Sequence, residues 1–146
     1  MVPGNAKIVK CPYCGEKKEL MTLLSGNTLG AELWSDNKRI APMLPSISPV
    51  QKCPKCGKYF FEYKQEFKEG SKRSFECGEL TFQEWKEAYS QFVSEKVKKK
   101  DMLNVYYGII HSYNDYYHRY CSKNKPTDGD YEFFVRIVLA LIDNID

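Results

Sequence analysis

Two short, matched segments constrain this chain more than anything else in it: Cys11-Pro12-Tyr13-Cys14-Gly15 and Cys53-Pro54-Lys55-Cys56-Gly57. Each places two thiols three positions apart on a tight turn. Proline presets φ as the turn begins, and glycine after the second cysteine permits positive φ, so the following amides can face the sulfurs. Two such knuckles supply four thiolates, the donor set of tetrahedral zinc. Thirty-eight residues separate Cys14 from Cys53, enough for a hairpin and a return segment.

Other chemistries use the same residues. A disulfide pair belongs to secreted chains, and Met1 to Lys10 lacks the apolar core of a secretory leader. A redox Cys-x-x-Cys needs only one knuckle. Iron accepts four thiolates as zinc does. Ligand type and spacing favour one structural Zn2+ held by Cys11, Cys14, Cys53 and Cys56. Four protein ligands leave no open coordination position, which argues against metal catalysis.

The composition fits a small folded protein of one domain, or of a module with a helical segment. It has 146 residues, 42% apolar and 28% charged. No apolar run approaches the ~20 residues that span a bilayer, so no membrane association is expected and a cytoplasmic location is. The net charge of +3 hides an asymmetry. Residues 1–60 hold nine bases and four acids, residues 61–100 nine and eight, and residues 101–146 four and seven. The front is basic and the back mildly acidic.

The front, residues 1–78, is rich in Cys, Pro and Gly. Residues 29–34 and 38–41 flank Ser35-Asp36-Asn37 and read as a β-hairpin. Tyr59 to Phe67 reads as a half-buried strand with Tyr59, Phe61 and Tyr63 on one face; Phe60 breaks that alternation. Pro42, Pro45 and Pro49 mark a connector. Ser25-Gly26-Asn27-Thr28-Leu29-Gly30 reads as a turn, because a phosphate cradle would need a preceding strand, a lysine and a helix start.

The back, residues 79–146, has helical periodicity. Thr81 and Glu84 form a capping box, and Phe82, Trp85, Tyr89, Phe92, Val93 and Val97 share a face. A second helix over about 101–120 has Leu103, Tyr106, Tyr107, Ile110, Tyr113 and Tyr117 as its apolar face. A third starts at Asp130 as N-cap, with Tyr131, Phe134, Val135, Val138, Ile142 and Ile145 on one side. It runs to the last residue, as at the cut end of a longer protein or a fraying terminus. The fold class expected is α+β: a small β zinc-binding module over 1–78 with an inserted hairpin, then an α-helical bundle or the start of a helical-repeat array.

Three further features carry weaker signals. Cys77 and Cys121 read as reduced, dispensable thiols, since neither sits in a nucleophile motif. His111, Asp115 and His118 share a helix face and read as a solvated polar face rather than an acid–base cluster. Trp34 reads as core, or as an exposed anchor for a partner. No catalytic constellation emerges.

The paired knuckles resemble the zinc-ribbon group, with rubredoxin-like Cys knuckles, over about residues 8–63. Ser25-Gly26-Asn27-Thr28, Leu33-Trp34-Ser35-Asp36, Ala41-Pro42-Met43-Leu44-Pro45, the second knuckle and Tyr113-Asn114-Asp115 are similar to an uncharacterised bacterial family that pairs an N-terminal zinc ribbon with C-terminal helices. The resemblance implies fold and zinc. The expected role is a non-catalytic binding module with a protein partner docking on the aromatic helices. The alternative is a nucleic-acid-binding ribbon, supported by Tyr13, Trp34, Tyr59 and Phe60 among the front lysines, with binding that is weak and salt-sensitive.

Overall fold

The computed structural model describes residues 1–119 and 123–144. The fold is α+β, with small antiparallel sheets followed by three helices. The chain divides into two compact units, Met1–Glu79 and Leu80–Asp146.

In the first unit the strands are β1 (Val2–Pro3), β2 (Asn5–Lys10), β3 (Lys17–Leu20), β4 (Leu23–Ser25), β5 (Glu32–Leu33), β6 (Arg39–Ile40), β7 (Val50–Lys52), β8 (Tyr59–Phe61) and β9 (Phe67–Arg73). The widest sheet has the order β3-β2-β9, all antiparallel. β7 pairs with β8, β1 with β4 and β5 with β6. The expected hairpin is present but short. Glu32 pairs with Ile40 and Leu33 with Arg39, around a turn in which Asn37 adopts φ +68° and the Asp36 carboxylate accepts from the Lys38 amide at 3.1 Å. The Ser25–Gly30 segment is a turn as well, with the Asn27 side chain accepting from the Leu29 amide. Trp34 is half-buried.

The strand expected over Tyr59 to Phe67 is corrected. β8 is three residues long and all three are buried. It is followed by a 3-10 turn at Glu62–Lys64. Phe60 breaks the alternation because it belongs to the core, packed with Val9, Cys11, Leu20 and Cys53. A strand buried on both sides has no reason to alternate. Glu62 is buried and accepts from the Lys7 ammonium at 2.7 Å.

The second unit comprises α1 (Phe82–Ser94), α2 (Lys99–Tyr117) and α3 (Asp128–Asn144). The capping box forms as expected. The Thr81 hydroxyl accepts from the Glu84 amide at 3.2 Å and the Glu84 carboxylate from the Thr81 amide at 3.0 Å. α2 packs against both α1 and α3. Its core is aromatic: Tyr113 stacks on Phe134 with centroids 4.1 Å apart and meets Phe82 edge-on at 5.5 Å, geometries worth about 0.5–1.5 kcal/mol beyond area burial.

The helical faces differ from expectation in detail. On α1 Ala88 is buried with Phe82, Trp85 and Phe92, Val93 is exposed, and Val97 lies past the end of the helix. On α2 Ile110, Tyr113 and Tyr117 are buried as expected, but the stripe continues through Met102, Val105 and Ile109, offset from Leu103, Tyr106 and Tyr107, which are half-buried. α3 starts at Asp128 rather than after Asp130, because the Thr127 hydroxyl caps it by accepting from the Asp130 amide at 3.1 Å. Its buried residues are Ile137 and Leu141, while Tyr131 and Ile142 face solvent. Ile145 lies outside the described residues, as does Tyr120.

Gly108 on α2 allows the close approach of α1. A Cβ there would stand 2.3–2.5 Å from three atoms of the buried Trp85 indole. Gly108→Ala gains about 1 kcal/mol of helix propensity but forces a rigid ring aside, at about 1–3 kcal/mol. A net loss of up to about 2 kcal/mol is expected in chemical denaturation followed by helical circular dichroism. A stabilised variant would show that Trp85 repacks freely.

Asp130 has a different role from the cap expected of it. Its carboxylate accepts from the Lys86 ammonium at 2.8 Å and the Tyr117 hydroxyl at 2.6 Å, tying α3 to α1 and α2. Burial pushes the Asp130 carboxyl up, but the hydrogen bonds from Lys86 and Tyr117 and the Lys86 charge outweigh it and hold the group below its ordinary value. Burial and the bond to Asp130 push Tyr117 up to about 12. A depressed carboxyl contributes stability that is present above the unfolded value of about 3.9 and is lost as pH falls through the lower folded value. Asp130→Asn should therefore destabilise the helical unit by about 1–2 kcal/mol at pH 7, and progressively less as pH falls through the lowered folded value. An equal loss at every pH would mean that the charge is not what matters.

Candidate metal centre

Each knuckle is the turn of an antiparallel hairpin. β2 enters the first and β3 leaves it, with Lys10 opposite Lys17. β7 enters the second and β8 leaves it, with Lys52 opposite Tyr59. The backbone closes identically in both. The Cys11 amide donates to the Glu16 carbonyl and the Gly15 amide to the Cys11 carbonyl, both at 2.9 Å. The Cys53 amide donates to the Lys58 carbonyl at 2.9 Å and the Gly57 amide to the Cys53 carbonyl at 3.0 Å. Gly15 and Gly57 have φ +78° and +73°, the left-handed region that favours glycine.

The hairpins bring the four cysteines together. Their sulfurs all lie within 4.8 Å of one another. Cys11 Sγ is 3.6 Å from Cys56 Sγ, and Cys14 Sγ is 3.4 Å from Cys53 Sγ. Tetrahedral ligands about 2.3 Å from a zinc ion stand about 3.8 Å apart, so the spacing suits a metal of that size. The first cysteine of each knuckle is buried and the second exposed, which anchors the cluster in the core through Cys11 and Cys53. Among the described residues no other group of three or more His, Cys, Asp or Glu side chains could hold a metal ion.

Backbone amides serve the sulfurs. Lys55 N and Cys56 N lie 3.4 and 3.5 Å from Cys53 Sγ. Burial raises the Cys53 thiol, but these amides and the hydrogen bonds with Cys14 and Cys56 outweigh it and draw the group down to about 6. Burial pushes Cys11 up despite the amides of Tyr13 and Cys14. At Cys14 the Glu16 amide pulls down, yet burial and the neighbouring sulfurs together push the thiol up to about 12. Four sulfurs this close cannot all ionise without a cation. A metal entering here displaces protons, so its affinity falls as pH falls.

The remaining sequence candidates do not converge. The His111 ring lies 5.9 Å from that of Tyr107, and the His118 ring 5.7 Å from that of Tyr113. Asp115 pairs with Arg119, which is buried and also donates to the His111 carbonyl at 3.1 Å. Arg119 was missed, although its i,i+4 spacing from Asp115 was the available signal. Cys77 is half-buried, and burial and then the charges of Glu76 and Glu79 raise its thiol, the opposite of activation. Cys121 lies outside the described residues. The described cysteines are all free thiols. No described helix is long and apolar enough to cross a membrane. Comparison of the chain with protein-family models, curated proteins and solved structures gives no match.

Proposed function

We propose that the chain is a non-catalytic zinc-binding module of the ribbon type. In this reading Cys11, Cys14, Cys53 and Cys56 hold one structural Zn2+, and the protein acts in the cytoplasm by binding a protein partner. The observation that carries the metal is the cluster of four sulfurs at tetrahedral spacing. Zinc rather than iron follows from a site whose task is to join two hairpins, for which a redox-inert ion suffices. Full coordination by protein leaves no position for water or substrate. Thiolates of this kind persist in a reducing compartment.

Support for a protein partner comes from the second unit. α3 is apolar on two sides, and the side carrying Tyr131 and Ile142 is exposed. Such aromatic and aliphatic side chains supply anchors in protein interfaces.

The test is elemental analysis of the purified chain, with Co2+ replacing Zn2+ as a spectroscopic probe. One metal per chain and a tetrahedral tetrathiolate absorption spectrum are expected, both lost in Cys14→Ser. A well-folded chain without metal sinks the reading. For the partner, Ile142→Glu should leave the thermal midpoint within about 2 °C of the parent and abolish retention of a stoichiometric protein; retention of none refutes that half of the proposal.

A further inference from the structure

Several front-half carboxylates pair with groups outside the two knuckles. Glu62 takes the Lys7 ammonium and Glu79 takes Lys38, while Glu69 accepts from Asn5. The lysines around the sulfur cluster are placed differently. Lys10 and Lys17 are exposed and stand directly opposite each other across β2 and β3, a like-charge pair that destabilises a ladder. Lys55 lies between the two cysteines of its knuckle, and Lys58 follows it; both are exposed. None of these four forms an ion pair with a described residue. Lys18 donates to the Lys52 carbonyl at 3.2 Å, adding two more ammonium groups beside the same turns.

The metal centre does not account for this charge. The segments 10–19 and 52–58 carry six lysines and two carboxylates, Glu16 and Glu19. That leaves four positive charges, and a zinc tetrathiolate carries two negative ones. The contacts to sulfur described above come from backbone amides, not from ammonium groups. A surplus of positive charge therefore surrounds the knuckles, held at the expense of the Lys10–Lys17 repulsion. Within it stands one exposed aromatic ring, Tyr13, with the Lys58 ammonium 4.8 Å from its centroid. Cations spaced along a turn with an aromatic among them suit a flexible chain of phosphates bearing stackable bases.

We infer that the knuckle ends of the two hairpins form a binding face for single-stranded nucleic acid, with Lys10, Lys17, Lys55 and Lys58 on phosphates and Tyr13 against a base. This rests on the zinc reading only in that the metal holds the two knuckles side by side. The face reads charge and stacking, not sequence, since no side chain there presents a paired donor and acceptor to a base edge. Four phosphate contacts to a single strand give a slope of log affinity against log salt of about −3. A rise from 50 to 150 mM salt should then weaken binding about twentyfold.

The experiment is fluorescence anisotropy of a labelled 12-nucleotide oligo-dT and oligo-rU with the zinc-loaded full chain at both salt concentrations. Lys10→Ala/Lys17→Ala and Lys55→Ala/Lys58→Ala should each lose at least tenfold at 50 mM salt and flatten the slope by about 1.4. Tyr13→Leu should lose about tenfold with the slope unchanged. The charge-matched Lys99→Ala/Lys100→Ala, in the helical unit, should stay within about twofold. Equal loss in that control would reduce the effect to net charge and overturn the proposal. So would absence of binding at 50 mM, or equal affinity for polyglutamate or for vesicles of anionic lipid. Zinc content is measured on every sample. A chain that holds zinc and ignores the oligonucleotides sinks this inference alone; one that never holds zinc sinks the earlier reading.

Discussion

Cys53→Ser is expected to release the metal and unfold residues 1–79 while leaving α1 to α3 largely helical. Cys53 is 1% exposed and packs with Val9, Cys11, Leu20 and Phe60, so it is both a proposed ligand and a core residue. Structural zinc contributes about 10–16 kcal/mol to the folding of small fingers at neutral pH. The strands of this unit are two to seven residues long, and the core cluster around the sulfurs has few large apolar members. Such a core does not replace a term of that size, given a total stability of about 5–15 kcal/mol for an ordinary domain. The helical unit has its own aromatic core, built around Phe82, Tyr113 and Phe134. Amide signals of residues 5–73 should collapse toward random-coil shifts, and the 222 nm circular dichroism should persist. Cys77→Ser is the matched control and should keep both metal and fold. Parallel loss of both units in Cys53→Ser would show that they fold as one.

What could be read from the sequence was whatever local chemistry specifies. A Cys-Pro-x-Cys-Gly knuckle needs only its own five residues to turn, and the two knuckles converge because each closes a hairpin. The Thr81–Glu84 capping box is likewise a four-residue event. The Asp36-Asn37 turn is read from residues that tolerate its backbone.

What was missed depends on partners far along the chain. β9, with the sequence Phe-Lys-Glu-Gly-Ser-Lys-Arg, has one buried residue, Gly70, and hence no apolar alternation to betray it. It is a strand because β2 pairs with it from some sixty residues away. Gly70 fits because a Cβ there would lie 3.2 Å from the Ala6 carbonyl oxygen. The ion pair of Lys7 with Glu62 is hidden for the same reason.

The helix faces erred in a related way. α2 has neighbours on two sides, so its buried arc is wide and its centre is poorly fixed by periodicity. α3 has two apolar stripes, and only the packing decides that Ile137 and Leu141 go inside while Tyr131 and Ile142 stay out. At the candidate metal centre, the set of four cysteines that cluster was legible. The burial of Cys11 and Cys53 against the exposure of Cys14 and Cys56 was not, because it follows from which end of each turn meets the core.

Gly78→Ala should be among the most damaging single substitutions outside the cysteines. Gly78 has φ +67°, and a Cβ there would stand 1.8 Å from Gln51 Oε1 and 2.4 Å from Gln51 Cδ. Gln51 cannot swing away at little cost. It is fully buried on β7, and its side-chain amide donates to the Ser48 carbonyl at 2.8 Å and the Cys77 carbonyl at 3.2 Å. The Ser48 amide donates to the same Cys77 carbonyl at 2.9 Å, and the Met21 amide to the Glu76 carbonyl at 2.9 Å. The segment 76–78 is thereby sewn to β7, which leads into the second knuckle, and to the residue that follows β3. Alanine at positive φ costs about 1–2 kcal/mol, and the overlap adds about 1–3 kcal/mol. Displacing Gln51 leaves buried polar groups unpaired, at about 1–3 kcal/mol. These terms overlap, so a loss of about 3–5 kcal/mol is expected. Gly15→Ala and Gly57→Ala provide the comparison. Their φ values are as positive, but a Cβ at either meets nothing within 4 Å, so each should cost only the backbone term of about 1–2 kcal/mol. Denaturant titration of the three zinc-loaded variants, followed by amide signals of the first unit, separates the two contributions. If Gly78→Ala were no worse than Gly57→Ala, Gln51 would have to move freely, and the buried amide would not hold residues 76–78 against β7.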